Sequence, residues 1–408
     1  MQLRILYILT LCLPYVIYGQ SFSKDEKEKN GIPLDSIKVN FMYSYYEQDG
    51  LHSPVTGGIG DEELQDQGQK ISVIIPINNS TKLSVLSGID IYTSASTDNI
   101  DDQYDLLPIQ TSAASYKDER KYSKVTIEKE NKNGYIIGAN TGFSNEFDVN
   151  SISAGISLAH LSKDENTQIR LSSNYFKDDW KLIYPFELRP VLTNNIENIK
   201  RSFNTSLMIS QIINKRLKMA FSIETSNQNG LISTPFHRVY FNDSTHTIER
   251  LPDNRFKVPV ALYSSYYMNH WSILRMYYRY YHDNFNINAH TLQLETPIKI
   301  SSSFVISPYY RIHSQTSSKY FEPFAMHDPS DEYYSSDYDL SAFNSHKLGF
   351  GIKYSPLFGF LNKSNSNNRS KIKFKKLEIR TSKYFRMNED GLILKAYIAT
   401  FGVSYQIN

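Results

Sequence analysis

His237 in TPFHRVYF and His313 in YRIHSQ are the side chains from which hydrolytic chemistry would start, with Ser and Asp abundant around both. A hydrolase needs a histidine held beside a Ser or an Asp in space, so that the ring can move a proton to or from the nucleophile. Neither stretch carries a nucleophile elbow or another specific signature. The expectation is that each ring packs against aromatic neighbours and that the chain is not an enzyme. The only cysteine, Cys12, lies near the N-terminus inside an apolar run. That leaves no disulfide framework and no thiolate metal site beyond it.

Carboxylates are the second chemical resource. Glu47, Asp49, Asp61, Glu62, Glu63 and Asp66 crowd the stretch 47–69 with no Lys or Arg among them. Asp98, Asp101, Asp102, Asp105, Asp118 and Glu119 fill a second stretch, and Asp328, Asp331, Glu332, Asp337 and Asp339 a third. Hard divalent cations take several such oxygens, so divalent cations at these acidic loops, or bridging to anionic lipid head groups, are one expectation. DNIDDQYD lacks the spacing and turn glycine of a calcium loop, and solvated loops with no cofactor are the plainer one.

Both resources need a scaffold, and the last stretch declares its type. From Tyr397 every second residue is apolar (Tyr397, Ala399, Phe401, Val403, Tyr405, Ile407), while Thr400, Gly402, Ser404 and Gln406 between them are small or polar. Alternation of period two gives a strand with one apolar and one polar face. Gly402, Tyr405 and Ile407 also resemble the closing signature of bacterial outer-membrane barrels, although Asn408 follows. The same alternation recurs from Ile37 onward and yields sixteen strands, within a range of 14–18. Long connections (47–69, 94–119, 177–202, 230–257, 316–345) alternate with short ones, and all of these follow odd-numbered strands. One long connection, 356–373, falls at the other end, and three odd-numbered connections are short. An even strand count with long loops at one end is the pattern of a transmembrane antiparallel β-barrel with long extracellular loops and short periplasmic turns, since lipid leaves no open sheet edge satisfied. A soluble sandwich has no reason to gather its long loops at one end. The 31 Tyr and 22 Phe against 18 Gly suit a strand and a membrane–water interface.

The N-terminus fits that reading. Arg4 and the apolar run Ile5 to Tyr18, followed by Gly19, read as a secretory signal peptide over residues 1–19. A polar periplasmic leader over 20–35 and a barrel over 36–408 follow. The run is too short to favour a spanning helix. No plug domain is expected ahead of the barrel, an expectation that disfavours energy-coupled uptake. A net charge of +2 removes the argument for nucleic acid.

The polar phase of the strands then supplies a candidate lumen. It carries Lys38, Lys124, Arg170, Lys218, Arg275, Arg279, Arg311, Lys353, Lys376 and Arg380, against the acids Asp90, Glu128, Glu224, Glu295 and Glu378. Lining charge sets pore selectivity, so this excess leans towards anions. Pairing of the same charges across strands inside a closed barrel is the equal alternative. Two functions stay open: a pore or export/uptake channel for small polar or anionic solutes, or a docking platform for periplasmic or surface proteins. Outer-membrane lipid and the barrel-assembly machinery are expected partners in either case.

Several passages strengthen the assignment. GIDIYTSASTDNID (88–101), SAASYKDERKY (112–122), GFSNEFDVNSIS (142–153), TPFHRVYF (234–241) and SSDYDLSAFNS (335–345) together resemble a bacterial family catalogued as domain of unknown function, family 3570. The resemblance covers most of the chain beyond the signal peptide. It implies an outer-membrane barrel of unassigned substrate and gives no reaction.

Overall fold

The computed structural model describes residues 36–94, 118–189, 197–356, 372–388 and 391–407. Residues 1–35, which hold the expected signal peptide with Cys12 and the expected leader, and Asp98, Asp101, Asp102 and Asp105 lie outside the described residues.

Alternation of apolar and polar residues produces strands throughout, and their pairing closes on itself. In chain order they are β1 (Ile37–Gly50), β2 (Leu64–Pro76), β3 (Thr81–Ser94), β4 (Asp118–Glu130), β5 (Tyr135–Asn145), β6 (Val149–Leu161), β7 (Thr167–Trp180), β8 (Ile199–Asn214) and β9 (Leu217–Gly230). A short hairpin, β10 (Arg238–Tyr240) and β11 (His246–Ile248), stands apart from the main sheet. The sheet resumes with β12 (Asn254–Asn269), β13 (Ser272–Asp283), β14 (Asn288–Glu295), β15 (Ile298–Lys299), β16 (Phe304–Gln315), β17 (Phe343–Tyr354), β18 (Ile372–Asn388) and β19 (Gly391–Ile407). Each strand pairs antiparallel with the next, β9 passes directly to β12, and β19 pairs with β1 from Ile37↔Ile407 to Gly50↔Leu394. β14 and β15 both lie between β13 and β16 and form one crossing interrupted at Thr296–Pro297, where proline has no N–H to give the ladder. The result is a closed barrel of sixteen crossings, the number that the alternation predicts.

The two faces separate by chemistry. Ile137, Ile156 and Leu348 are each more than 60 % exposed on the outside, as lipid-facing residues must be, whereas Asp90 and Glu295 on the opposite phase are 6 % exposed. Strands of 12 to 17 residues, as in β13 and β18, exceed the 9–11 that cross hydrocarbon at a tilt. Near the turn end, Phe304, Tyr354, Phe374 and Tyr405 on four successive crossings form a chain of ring contacts with centroids 4.7, 6.4 and 5.8 Å apart. This is part of an aromatic girdle at a membrane–water boundary. No described helix is long and apolar enough to cross a membrane, and the crossing is made by strands.

Turn chemistry fixes the short connections. In the turn NKNG, Asn131 Oδ1 accepts the N–H groups of Asn133 and Tyr135, both at 3.0 Å. Gly134 takes φ +80°, and a Cβ there would lie 2.4 Å from Leu161 O. The long loops are shorter than the composition suggests. β1 runs to Gly50 and β2 starts at Leu64, so Glu47, Asp49 and Asp66 sit on strands. The polar residues there continue the ladder because pairing satisfies their backbone whatever the side chain.

Candidate functional site: the lumen and its mouth

Inward-facing charges from separate strands meet inside the barrel. Arg170 on β7 donates to Glu128 on β4 at 2.9 Å, and Arg380 on β18 donates to Glu295 on β14 at 3.1 Å. Each pair passes over two intervening crossings, which only the interior allows. Arg275 also approaches Glu295 at 3.6 Å, and Lys376 and Arg380 flank Glu378 at 3.4 and 3.6 Å. Arg120 forks onto Asp90, and Arg311 donates to Gln293 at 2.8 Å. Among the described residues, Lys124, Lys218, Arg279 and Lys353 form no ion pair. Lys38 stands near the turn end, where its pair across the seam is Gln406.

The sequence reading missed further inward-facing groups. Lys200 and Lys257 lie in the stretches 177–202 and 230–257 that read as loop, Arg120 follows directly on 94–119, and Lys347 and Arg386 share the phase of Lys353 and Arg380. Their addition shows an asymmetry. On the wall from β12 to β18 the inward phase carries Arg255, Lys257, Arg275, Arg279, Arg311, Lys347, Lys353, Lys376, Arg380 and Arg386, with the carboxylates Asp283, Glu295 and Glu378. Asp283 is already bound by Arg255 at 2.6 Å. Positive charge therefore exceeds negative along this arc.

At the loop end the long connections fold on one another. Arg238 on β10 donates to Val55 O in the first loop at 2.6 Å and to Glu187 at 3.1 Å, joining three loops. His52 stacks on Tyr338 with ring centroids 4.1 Å apart. Ile232, Leu251, Phe285, Ile287 and Leu340 form a buried apolar cluster beneath them. The loop before β17 leans onto inward-facing side chains: Arg386 binds Asp339 and Tyr338 O, and Gln315 Nε2 donates to Asp339 O and Ser341 O at 3.0 and 2.8 Å. These loops form a cap that has its own core.

The two candidate histidines have different fates. His313 lies on β16 with Nδ1 2.8 Å from Thr291 Oγ1 and its ring near Phe343. His237 is 4 % exposed inside the cap, with Glu249 Oε1 3.9 Å from its Nδ1. Fully buried Ser335 gives its hydroxyl proton to Glu249, which is not the geometry of a nucleophile facing its base. Of the acidic-loop residues described, Asp337 alone joins a potential ligand group, with His237 and Glu249. Glu249 gave no signal in the sequence, because it enters through the β10–β11 hairpin.

A second acidic group sits at the end of β5. Burial beside Glu146 and Asp118 pushes Asp148 up to about 6. A carboxyl raised in the folded state contributes stability that is complete below its unfolded value and is lost as pH rises through about 6. Asp148→Asn should therefore stabilise the protein at pH 8 by roughly 3 kcal/mol. The gain should shrink to nothing below about pH 4, where the unfolded carboxyl is protonated as well. Urea unfolding at both pH values measures it, and an equal effect at both contradicts the assignment.

Among curated proteins, none matches this chain. Among solved structures it is similar to a bacterial polysaccharide outer membrane secretin, at 10 % identity over 92 % of this chain and 99 % of that one, with a TM-score of 0.48. It is also similar to the outer membrane protein opdK from Pseudomonas aeruginosa (9 % identity, 91 % and 100 % covered, TM-score 0.40) and to a BenF-like porin from Pseudomonas fluorescens Pf-5 (8 %, 91 % and 99 %, 0.43). The barrel assignment itself rests on this chain's own closed strand pairing. Residues 23–372 match the family model described as "Protein of unknown function (DUF3570)", the family that the sequence motifs resemble. With a match over most of its length, the chain belongs to that family.

Proposed function

We propose that this protein is an outer-membrane pore for small polar solutes, with a preference for anions. Barrels of sixteen strands leave an aqueous channel that side chains alone do not fill. The observation that carries the preference is the arc of inward Arg and Lys from β12 to β18, only part of which is neutralised. Lining charge of one sign raises the local concentration of the opposite ion. The folded cap restricts entry to small solutes.

The cap also favours a second reading. Loops with a buried core and interlocking ion pairs present a defined surface, as a docking platform would, and a fully closed mouth would leave the barrel non-conducting. Liposomes containing the purified protein distinguish the two. Swelling in iso-osmotic arabinose at a rate above empty liposomes is expected of the pore. No swelling, with heat-modifiable gel migration confirming a folded barrel, overturns the pore in favour of the platform.

A further inference from the structure

We infer that the cap holds a divalent transition-metal ion, of which zinc is the test case, between His237, Glu249 and Asp337. One ligand atom from each lies within 4.8 Å of the other two. His237 and Glu249 belong to the loop between β9 and β12, and Asp337 to the loop between β16 and β17. A metal here would staple these two loops across the mouth.

Three observations point to a cation site. First, His237 is 4 % exposed and its Nδ1 makes no hydrogen bond, although it faces Glu249. A buried imidazole nitrogen without a partner costs free energy unless something takes its lone pair or its proton. Secondly, the carboxylates of buried Glu249 and half-buried Asp337 lie together, and among the described residues no lysine or arginine forms an ion pair with either. Thirdly, the carboxylates are already oriented. Thr234 N–H donates to Glu249 Oε2 at 2.7 Å, Ser335 donates to its other oxygen, and Asp339 N–H donates to Asp337 Oδ1 at 2.9 Å. Such outer hydrogen bonds fix ligands in metal sites.

The donor set selects the class of ion. One imidazole nitrogen and two carboxylates suit zinc and its first-row neighbours, whereas calcium takes oxygen ligands in larger number. Three protein ligands leave a fourth position of a tetrahedral site for water.

The test uses the intact protein in detergent, stripped with chelator and then titrated with zinc chloride in a calorimeter. One equivalent should bind. Asp337→Asn and His237→Gln should each weaken binding at least tenfold, while Asp61→Asn in the neighbouring acidic loop should leave it unchanged. Heat-modifiable migration reports the barrel separately from the loops. Since substitution of buried groups can disturb the cap, cobalt(II) added to the unaltered protein is a second readout, and visible d–d bands without thiolate charge transfer are expected. Absence of binding, equal loss from Asp61→Asn, displacement of zinc by equimolar calcium, or absence of the cobalt bands overturns the site.

Discussion

Phe401→Arg should largely abolish folded protein in the outer-membrane fraction, while Gly402→Arg, one residue further on, should assemble. Phe401 faces outward on β19 between Tyr43 of β1 and Ile379 of β18. It lies four residues above Tyr405 of the aromatic girdle, about 13 Å along the strand at roughly 3.3 Å per residue. At a tilt of roughly 35–45° this is a depth of about 10 Å, close to the middle of an apolar belt about 25 Å tall, where arginine costs roughly 2–4 kcal/mol. Gly402 faces the lumen opposite Glu378. Its Cβ position has no atom nearer than 3.8 Å, so an arginine there finds space and the water of the lumen, and it shares Glu378 with Lys376 and Arg380. Ser404 is the poorer control, since its neighbour on β18 is Lys376. Removal of Tyr405 to Asn408 should be worse than either substitution, because it deletes the last pairs that β19 makes with both β1 and β18. Quantities of heat-modifiable protein in membrane fractions decide it. Loss of Gly402→Arg with retention of Phe401→Arg would invert the phase of the closing strand.

Glu295→Gln should increase the anion preference of the lumen and destabilise the barrel. Glu295 is 6 % exposed and accepts from Arg380 while Arg275 stands 3.6 Å away. Neutralising it leaves two guanidinium groups without their shared counter-charge on the wall already richest in positive charge. Hydrogen bonds to charged groups contribute roughly 1.5–3 kcal/mol, and the partial exposure of both arginines places the expected loss at about 1–2 kcal/mol. Urea unfolding in detergent measures the loss, and the reversal potential across a salt gradient measures the selectivity. A variant with neither change would show that Glu295 does not balance that wall.

Much of this was legible in the residues because lipid and water impose period two on every crossing. The phase of β19 from Tyr397 to Ile407, the count of sixteen and the one-sided loops all follow from that single constraint. Pairing over two intervening strands was not legible. Glu128 with Arg170 and Glu295 with Arg380 depend on the stagger of a closed barrel, which alternation does not encode. Strand ends were also missed where polarity continued past the membrane, as from Glu47 to Gly50, because the ladder extends beyond the apolar belt. The cap was the least legible part. Its hairpin β10–β11 has three-residue strands, too short for a periodic signal, and Glu249 reaches His237 only through that fold.

An open lumen whose charge favours anions carries a selective ionic current, which planar-bilayer recording measures. Reconstituted protein in a tenfold potassium chloride gradient should give steady current with a reversal potential on the chloride side of zero. Gln in place of Glu295 should move it further in that direction. Silence at all voltages from heat-modifiable protein, or a reversal potential on the potassium side, would contradict the claim.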